Sequence, residues 1–194
     1  MVSLSLNIRG TGGTLKSDSF RRVFDKTQPN IVFLQETLVS AQKSRSFMHA
    51  FRPHWFCCAV NSFGTSGGLL ASWDPSIYTL VPSLTIGGLL LACFCLSSKR
   101  EIALLNCYVP CVQKRRFWTL VVDSDMLSVG NLIIAGDLNL TLSLGETWGG
   151  SASAGSLEGF FKAPFQNQNL IHIEPGKVVP TWRNRCSGLD AIWK

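Results

Sequence analysis

The sequence predicts one domain with a layered α/β fold, because short apolar runs alternate with segments of helical periodicity. Ile31–Leu34 and Leu132–Ala135 are wholly apolar and bounded by turn residues, which is typical of buried strands. Hydrophobic residues make up 46% of the chain and charged residues only 15%, which excludes a disordered chain. A length of 194 residues suits one domain, so we predict a single domain over residues 1–194.

The first segments predict a strand, a helix and a second strand. Val2–Ile8 alternates apolar and polar residues as a strand does, and Lys16–Lys26 has apolar residues at helical spacing. The next strand, Ile31–Leu34, is followed by Glu36, and the βαβ spacing makes the two strands neighbours. Glu36 is either a residue at a helix N-terminus or one polar group of a site at the strand ends.

The middle of the chain predicts a helix at Val39–Phe51, then strands at Trp55–Val60 and Leu69–Trp73 with a polar loop, Asn61–Gly68, between them. The uncharged run that follows is long enough to span a bilayer. Proline and paired glycines divide it, so we predict two strands joined by a turn and no membrane segment. These two strands are Ile77–Val81 and Leu89–Leu96.

Ile102–Val109 predicts a further strand, in which Asn106 and Tyr108 share one side. Gln113–Leu127 predicts a helix whose first turn carries Lys114, Arg115 and Arg116. Positive charges are unfavourable at a helix N-terminus. The triplet is therefore either a patch that faces phosphate or a solvated helix face.

The strand Leu132–Ala135 ends at Gly136, and Asp137 and Asn139 follow. On an extended chain these two side chains point to the same side. A carboxylate and a carboxamide at the end of a buried strand indicate a ligand site, although an Asp/Asn turn is a common alternative.

The C-terminal part predicts weaker elements. They are a flexible Gly/Ser loop at Leu144–Gly159, a short helix at Phe160–Gln168, a short strand at Asn169–Ile173 and a last strand at Gly188–Trp193.

Charge and cysteine content suggest the partner and the compartment. The net charge of +6 and the pI near 9.1 favour an anionic partner, nucleic acid first. The seven cysteines show no CxxC pair and no spacing for a metal site. We therefore expect reduced, mostly buried thiols in an intracellular protein, nuclear or cytoplasmic, with no secretory signal and no obligate protein partner.

Seven motifs in order along nearly the whole chain resemble the endonuclease/exonuclease/phosphatase superfamily. Within it, the sequence is most similar to apurinic-type endonucleases and to the endonuclease domain of plant LINE-type retrotransposons. The motifs are Asn7-Ile8-Arg9-Gly10, Val32-Phe33-Leu34-Gln35-Glu36-Thr37, Gly67-Gly68-Leu69-Leu70-Ala71-Ser72-Trp73, Asn106-Cys107-Tyr108-Val109-Pro110, Gly136-Asp137-Leu138-Asn139, Thr181-Trp182 and Leu189-Asp190.

The resemblance implies a four-layered α/β sandwich, with two mixed sheets flanked by helices, and Mg²⁺-dependent hydrolysis of a phosphodiester, with Mn²⁺ as a possible substitute. It assigns Glu36 and Asn7 to the metal, and Asp137 to the attacking water. Asn139 and Tyr108 would donate hydrogen bonds to phosphate oxygens, and Asp190 would orient a catalytic histidine. The backbone of DNA or RNA is the expected partner, with Trp182, Arg9, Arg115 and Arg116 as substrate-binding residues.

The sequence departs from the superfamily at the end of its pattern. The resemblance implies a Ser-Asp-His segment after the position of Asp190, and a second carboxylate beside the metal, which these 194 residues lack. The histidines present, His49, His54 and His172, are interpreted as surface or core residues. We therefore expect a sandwich without its last strand, and a weak or absent activity for this polypeptide.

Three functions remain open from the sequence. The first is a Mg²⁺-dependent endonuclease of retrotransposon-like origin, impaired in this chain. The second is an inactive module that binds nucleic acid through its basic residues, Arg183 and Arg185 among them. The third is a phosphatase that acts on a small or lipid phosphoester.

Overall fold

The computed structural model describes residues 1–64, 66–141, 146–149, 167 and 170–173. The chain divides into two compact units, Met1–Leu138 and Asn139–Lys194. The first unit contains two four-stranded sheets. That residues 1–194 form a single domain stays a prediction.

The first sheet is mixed and has the order β1-β2-β4-β3. β1 and β2 are parallel, whereas β4 is antiparallel to both of its neighbours. The parallel pair requires a crossover, which helix α1 provides. The elements are β1 (Ser3–Asn7), α1 (Thr14–Thr27), β2 (Ile31–Gln35), α2 (Ala41–His49), β3 (Phe56–Phe63) and β4 (Ser66–Trp73).

The second sheet is also mixed and has the order β5-β6-β7-β8, in which only β7 and β8 are parallel. Helix α3 and a single-turn 3-10 helix, Met126–Ser128, form the crossover between them. The elements are β5 (Tyr78–Thr85), β6 (Gly88–Cys95), β7 (Glu101–Tyr108), α3 (Lys114–Asp123) and β8 (Leu132–Asp137).

The two sheets pack face to face over an apolar core, to which Phe33 and Ala71 contribute from one sheet and Leu91 and Leu104 from the other. Burial of this surface is the main favourable term in folding.

Helices cover the outer faces of both sheets. Phe20 and Phe24 of α1 and Met48 of α2 pack on the outward side of the first sheet. Trp118 of α3, which lies in the crossover between β7 and β8, is fully buried. This order of layers confirms the predicted α/β sandwich with two mixed sheets and flanking helices. It also explains why β2 is wholly apolar up to Leu34, since a strand covered on both faces has no solvent side.

Several predicted boundaries are wrong. The predicted loop Asn61–Gly68 is mostly strand, because β3 and β4 stay paired up to Phe63 and Ser66. The predicted helix Gln113–Leu127 is α-helical only over Lys114–Asp123. β5 extends through Pro82, which is tolerated because β5 is an edge strand paired only with β6.

The second unit contains one more wrong prediction and several untested ones. Residues 170–173 have no regular secondary structure, so the predicted strand Asn169–Ile173 is wrong there. Most of the loop Leu144–Gly159, most of the helix Phe160–Gln168 and the strand Gly188–Trp193 lie outside the described residues.

The cysteines differ in exposure more than the sequence predicted. Cys93 and Cys107 are buried, Cys57, Cys58 and Cys95 are half-buried, and Cys111 is exposed. "Mostly buried" is therefore wrong for this group.

None of the helices in the described ranges is long and apolar enough to cross a bilayer.

Gly136 in β8 lies at a position where a side chain would not fit. Its φ is 138°, and a Cβ atom there would overlap the carbonyl oxygen of Cys107 on β7. We expect Gly136→Ala to lower the free energy of unfolding by about 2 kcal/mol or more. Urea unfolding measures this loss.

Gly130→Ala is the matched control, since a Cβ atom there would meet nothing within 4 Å. We expect it to change the free energy of unfolding by less than about 0.5 kcal/mol. Equal losses in the two variants would contradict the overlap at Gly136.

Candidate active site

Four strands end at one edge of the sandwich, and each delivers a polar side chain there. Asn7 ends β1, Glu36 follows β2, Tyr108 ends β7 and Asp137 ends β8. Asn7 pairs with Gln35, and Tyr108 pairs with Asp137, so the two strands of each parallel pair end at the same position along the sheet. β1 contacts β8, and β2 contacts both β7 and β8, so the two pairs face each other across the sandwich.

Two hydrogen bonds join these side chains across the gap between the sheets. Asn7 Nδ2 donates to Asp137 Oδ2 at 2.6 Å, and the Tyr108 hydroxyl donates to Glu36 Oε1 at 2.8 Å. All four residues are half-buried. The structure therefore brings together four of the side chains that the sequence singled out, two from each sheet.

The segment after β2 is held in an uncommon backbone conformation. Glu36 and Leu38 have φ values of 51° and 55°, in the left-handed region that non-glycine residues rarely adopt. Backbone hydrogen bonds hold this segment, because Gly10 N donates to the Glu36 carbonyl at 2.7 Å and Leu38 N donates to that of Gly67 at 3.2 Å. Such strain is concentrated at functional sites.

Glu36 is not a residue of a helix N-terminus, so that alternative is wrong. Helix α2 begins at Ala41, and its N-cap is Ser40, whose side chain accepts a hydrogen bond from Lys43 N.

Burial raises the pKa of the Tyr108 hydroxyl above its ordinary value, and so do the hydrogen bond to Glu36 and the negative charge of that carboxylate. The phenol therefore stays protonated at neutral pH and acts as a hydrogen-bond donor.

This raised pKa predicts a pH dependence of stability. The folded state holds the proton more tightly than the unfolded chain, whose tyrosine pKa is 10.0, so the contribution to stability is complete below that pH and decreases above it. We expect the stability advantage of the wild type over Tyr108→Phe to shrink as the pH rises past 10.0.

Urea unfolding of both proteins on either side of that pH measures the advantage. The difference cancels every titration that the two proteins share. An advantage that stays constant would mean that the pKa of Tyr108 is not raised.

Arg9 lies beside the site with an exposed side chain and a left-handed backbone, φ 48°. Its backbone N–H donates to Asn7 Oδ1 at 3.2 Å, which orients the Asn7 amide. Lys16 Nζ donates to the carbonyl of Arg9, and so adds a second positive charge to this loop. Lys16 was not predicted as a site residue, and its only signal in the sequence is its position near the start of the helix that follows β1.

The remaining predicted site residues are less defined. Arg115 and Arg116 are exposed on the first turn of α3, so both interpretations of the basic triplet stay open. Asn139 has a left-handed backbone, φ 48°, so the extended-chain argument that paired it with Asp137 is wrong. Trp182 and Asp190 lie outside the described residues.

The histidines are all exposed, as expected for surface residues. His49 Nε2 lies 3.2 Å from the carbonyl oxygen of Trp55. Trp55 directly precedes β3, at the end of the first sheet where Trp73 pairs with both Phe56 and Ile31. Glu36 follows the opposite end of β2. His49 is therefore remote from the candidate site.

The donor chemistry of the site fits a hard cation. Two carboxylates, Glu36 and Asp137, and the amide oxygen of Asn7 supply oxygen ligands, and Mg²⁺ uses one or two carboxylates while it keeps water and substrate oxygens. Among the described residues, no group of three or more His, Cys, Asp or Glu side chains could hold a metal by itself. Oxygen donors of this kind suit a hard divalent cation, whereas structural zinc is held by Cys and His.

Comparison with known proteins identifies the family and the fold. The model of the Endonuclease/Exonuclease/phosphatase family matches residues 4–192. No curated protein matches the chain in sequence.

Three solved structures share the fold at low sequence identity. An AP endonuclease from Leishmania major is 15% identical with a TM-score of 0.61, and the match covers 86% of this chain and 66% of that one. A 3'-5' exonuclease, NExo, from Neisseria meningitidis is 13% identical with a TM-score of 0.63, over 87% and 71% of the two chains. The endonuclease domain of TRAS1, a telomere-specific non-LTR retrotransposon, is 14% identical with a TM-score of 0.62, over 98% and 83%.

The chain spans about two thirds of the Leishmania endonuclease, 66% of its length. Identities this low establish a shared fold and nothing about substrate.

Proposed function

Because the chain belongs to the Endonuclease/Exonuclease/phosphatase family, we propose that it is a Mg²⁺-dependent phosphodiesterase of retrotransposon-like origin that cleaves the backbone of DNA or RNA. The observation that carries this proposal is the pairing of Asn7 with Asp137 and of Glu36 with Tyr108 at one edge of the sandwich. Two carboxylates, an amide and a protonated phenol are the groups that activate water and hold a phosphate.

Glu36 and Asn7 would hold the metal, with Asp137 close by. When bound, Mg²⁺ would supply positive charge next to the phosphate oxygens. The Asp137 carboxylate orients the attacking water and accepts its proton, a role that needs an oxygen within hydrogen-bond reach. Asn7 keeps that carboxylate in place through its 2.6 Å hydrogen bond.

Because a phenol has one proton to donate, Tyr108 would turn its hydrogen bond from Glu36 to a phosphate oxygen as negative charge develops there. Its raised pKa keeps the proton on the hydroxyl, so the donor is present at the pH of the reaction. Asn139 is proposed as a second donor, Asp190 as the residue that orients a histidine, and Trp182 as a surface on which a base stacks.

Nucleic acid is the proposed substrate because the chain has a net charge of +6, and solved structures of the same fold include an AP endonuclease and the endonuclease domain of a retrotransposon. Lys16 and Arg9 place positive charge beside the site. Arg115 and Arg116 would extend this basic surface along the backbone.

The test is incubation of the purified polypeptide, in excess, with supercoiled plasmid and Mg²⁺, with chelator as the negative control. Weak nicking by residues 1–194 stays a prediction. Slow nicking that needs Mg²⁺ supports the proposal. The proposal would be overturned if the protein neither nicked the plasmid nor bound Mg²⁺.

One observation supports each of the two other functions. The exposed basic residues at the start of α3 suit a module that binds nucleic acid without cleavage. Binding that weakens steeply with salt, together with no nicking, would favour it. A phosphatase remains the third candidate because the family includes phosphatases, and a phosphoinositide assay run beside the DNA assay would identify it.

A further inference from the structure

Two buried amides, Gln35 of β2 and Asn106 of β7, connect the two sheets directly below the candidate site. Their side chains are 1% and 0% exposed. Gln35 Nε2 donates to Asn106 Oδ1 at 2.7 Å, and Asn106 Nδ2 donates to the carbonyl oxygen of Leu70 on β4 at 2.9 Å. Gln35 Nε2 also lies 3.2 Å from Ser5 Oγ on β1. This amide pair thus links β7 of one sheet to three strands of the other.

Apart from this amide pair and the hydrogen bonds of the candidate site, the described core between the sheets is apolar. Apolar contact stabilises the sandwich, but it is non-directional and permits small sliding movements of one sheet over the other. Hydrogen bonds between buried amides have defined distances and angles, and leaving one partner unpaired costs about 1–3 kcal/mol. The amide pair is therefore a buried feature that can fix the relative position of the sheets at this edge.

The candidate site depends on that position more than any other part of the molecule. Glu36 follows Gln35 directly, and Tyr108 lies two residues beyond Asn106 on the same side of β7. Both hydrogen bonds of the site, Asn7 to Asp137 and Tyr108 to Glu36, cross between the sheets. A displacement of about 1 Å between reacting groups can reduce a rate by about 100-fold.

We propose that Gln35 and Asn106 are positioning residues, which hold the two sheets in the register that lets Glu36 and Asp137 act on one metal ion and one phosphate. This inference rests on the proposed function. It assigns the amide pair to the geometry of the site, beyond its contribution to folding.

The experiment measures Mn²⁺ affinity by titration calorimetry and stability by urea unfolding, for the wild type and four variants. Asn106→Leu removes the amide at similar volume, and Gln35→Met removes the other one. The double variant replaces both amides with apolar groups, and we expect it to be more stable than Asn106→Leu because Gln35 is then not left without Asn106. Leu104→Ala is the control, because Leu104 is 1% exposed in the same interface and its loss leaves a cavity.

We expect Asn106→Leu, Gln35→Met and the double variant to lose at least about 10-fold in Mn²⁺ affinity, as substitutions behind metal ligands do. Leu104→Ala should bind Mn²⁺ like the wild type although it is less stable. In the nicking assay the amide variants should lower kcat more than they raise KM, since the groups that bind DNA are elsewhere.

The outcomes separate the two proposals. A wild-type protein that does not bind Mn²⁺ would overturn the proposed function and this inference with it. Wild-type binding that the amide variants retain would overturn the inference alone, as would an affinity that follows stability through all four variants. If Asn106→Leu does not fold, Gln35→Met decides, because Asn106 then keeps its contact with the Leu70 carbonyl.

Discussion

Asparagine in place of Asp137 is expected to lower the rate of Mg²⁺-dependent nicking by a factor of about 10²–10⁴, or to the limit of detection. Asparagine keeps the size and shape of the side chain, and its Oδ1 can still accept the hydrogen bond from Asn7 Nδ2. It cannot take a proton from water. The loss therefore reports on the charge of Asp137, and single-turnover nicking of supercoiled plasmid with protein in excess measures it.

Asp25→Asn is the matched control for this experiment. Asp25 is exposed on α1, whose buried residues are Phe20 and Phe24, so the same chemical change there alters only the net charge. We expect this control to nick plasmid at the wild-type rate. If both variants lost activity equally, the effect of Asp137 would be one of charge on DNA binding and not of catalysis.

Glutamine in place of Glu36 is expected to weaken Mn²⁺ binding by at least about 100-fold. Two unit charges about 4 Å apart attract by about 4 kcal/mol at an effective dielectric constant of about 20, and each 1.4 kcal/mol corresponds to about tenfold in affinity. The hydrogen bond from Tyr108 can persist to the amide oxygen, so the fold of the site is kept. Calorimetric titration with Mn²⁺ measures the affinity.

Glu101→Gln provides the comparison, because Glu101 is exposed at the opposite end of β7 from Tyr108. Its Mn²⁺ affinity should equal that of the wild type. High Mg²⁺ concentrations should partly restore nicking by Glu36→Gln but not by Asp137→Asn, since only the first defect is one of metal binding. Equal behaviour of the two site variants at every Mg²⁺ concentration would contradict this division of roles.

The strand ends of the site could be predicted from the sequence because buried strands leave a strong local signal. Ile31–Leu34 and Leu132–Ala135 are wholly apolar, and the polar residue that follows each run is evident. Their partners could not be predicted from such signals. Asn7 and Asp137 are 130 positions apart, and Tyr108 and Glu36 are 72 apart, so their contacts depend on the order of strands in two sheets.

Other features depend on backbone geometry that residue types do not determine. The rule that residues two apart share one side holds for Asn106 and Tyr108 within β7, but it fails at Asn139, where the chain is no longer extended. Gln35 directly follows the apolar run Ile31–Leu34, and no local pattern predicts that it is buried and paired with Asn106. Tertiary hydrogen bonding decides such positions, and local sequence does not.

Crystals soaked in Mn²⁺ test the central claim most directly, because the anomalous signal of manganese locates the ion independently of activity. The account predicts one Mn²⁺ bound to the Glu36 carboxylate at the strand ends, with Asn7 and Asp137 reaching the same ion directly or through one water molecule. Manganese bound elsewhere, with Glu36 and Asp137 still paired only to Tyr108 and Asn7, would contradict the assignment of these residues to a shared metal site.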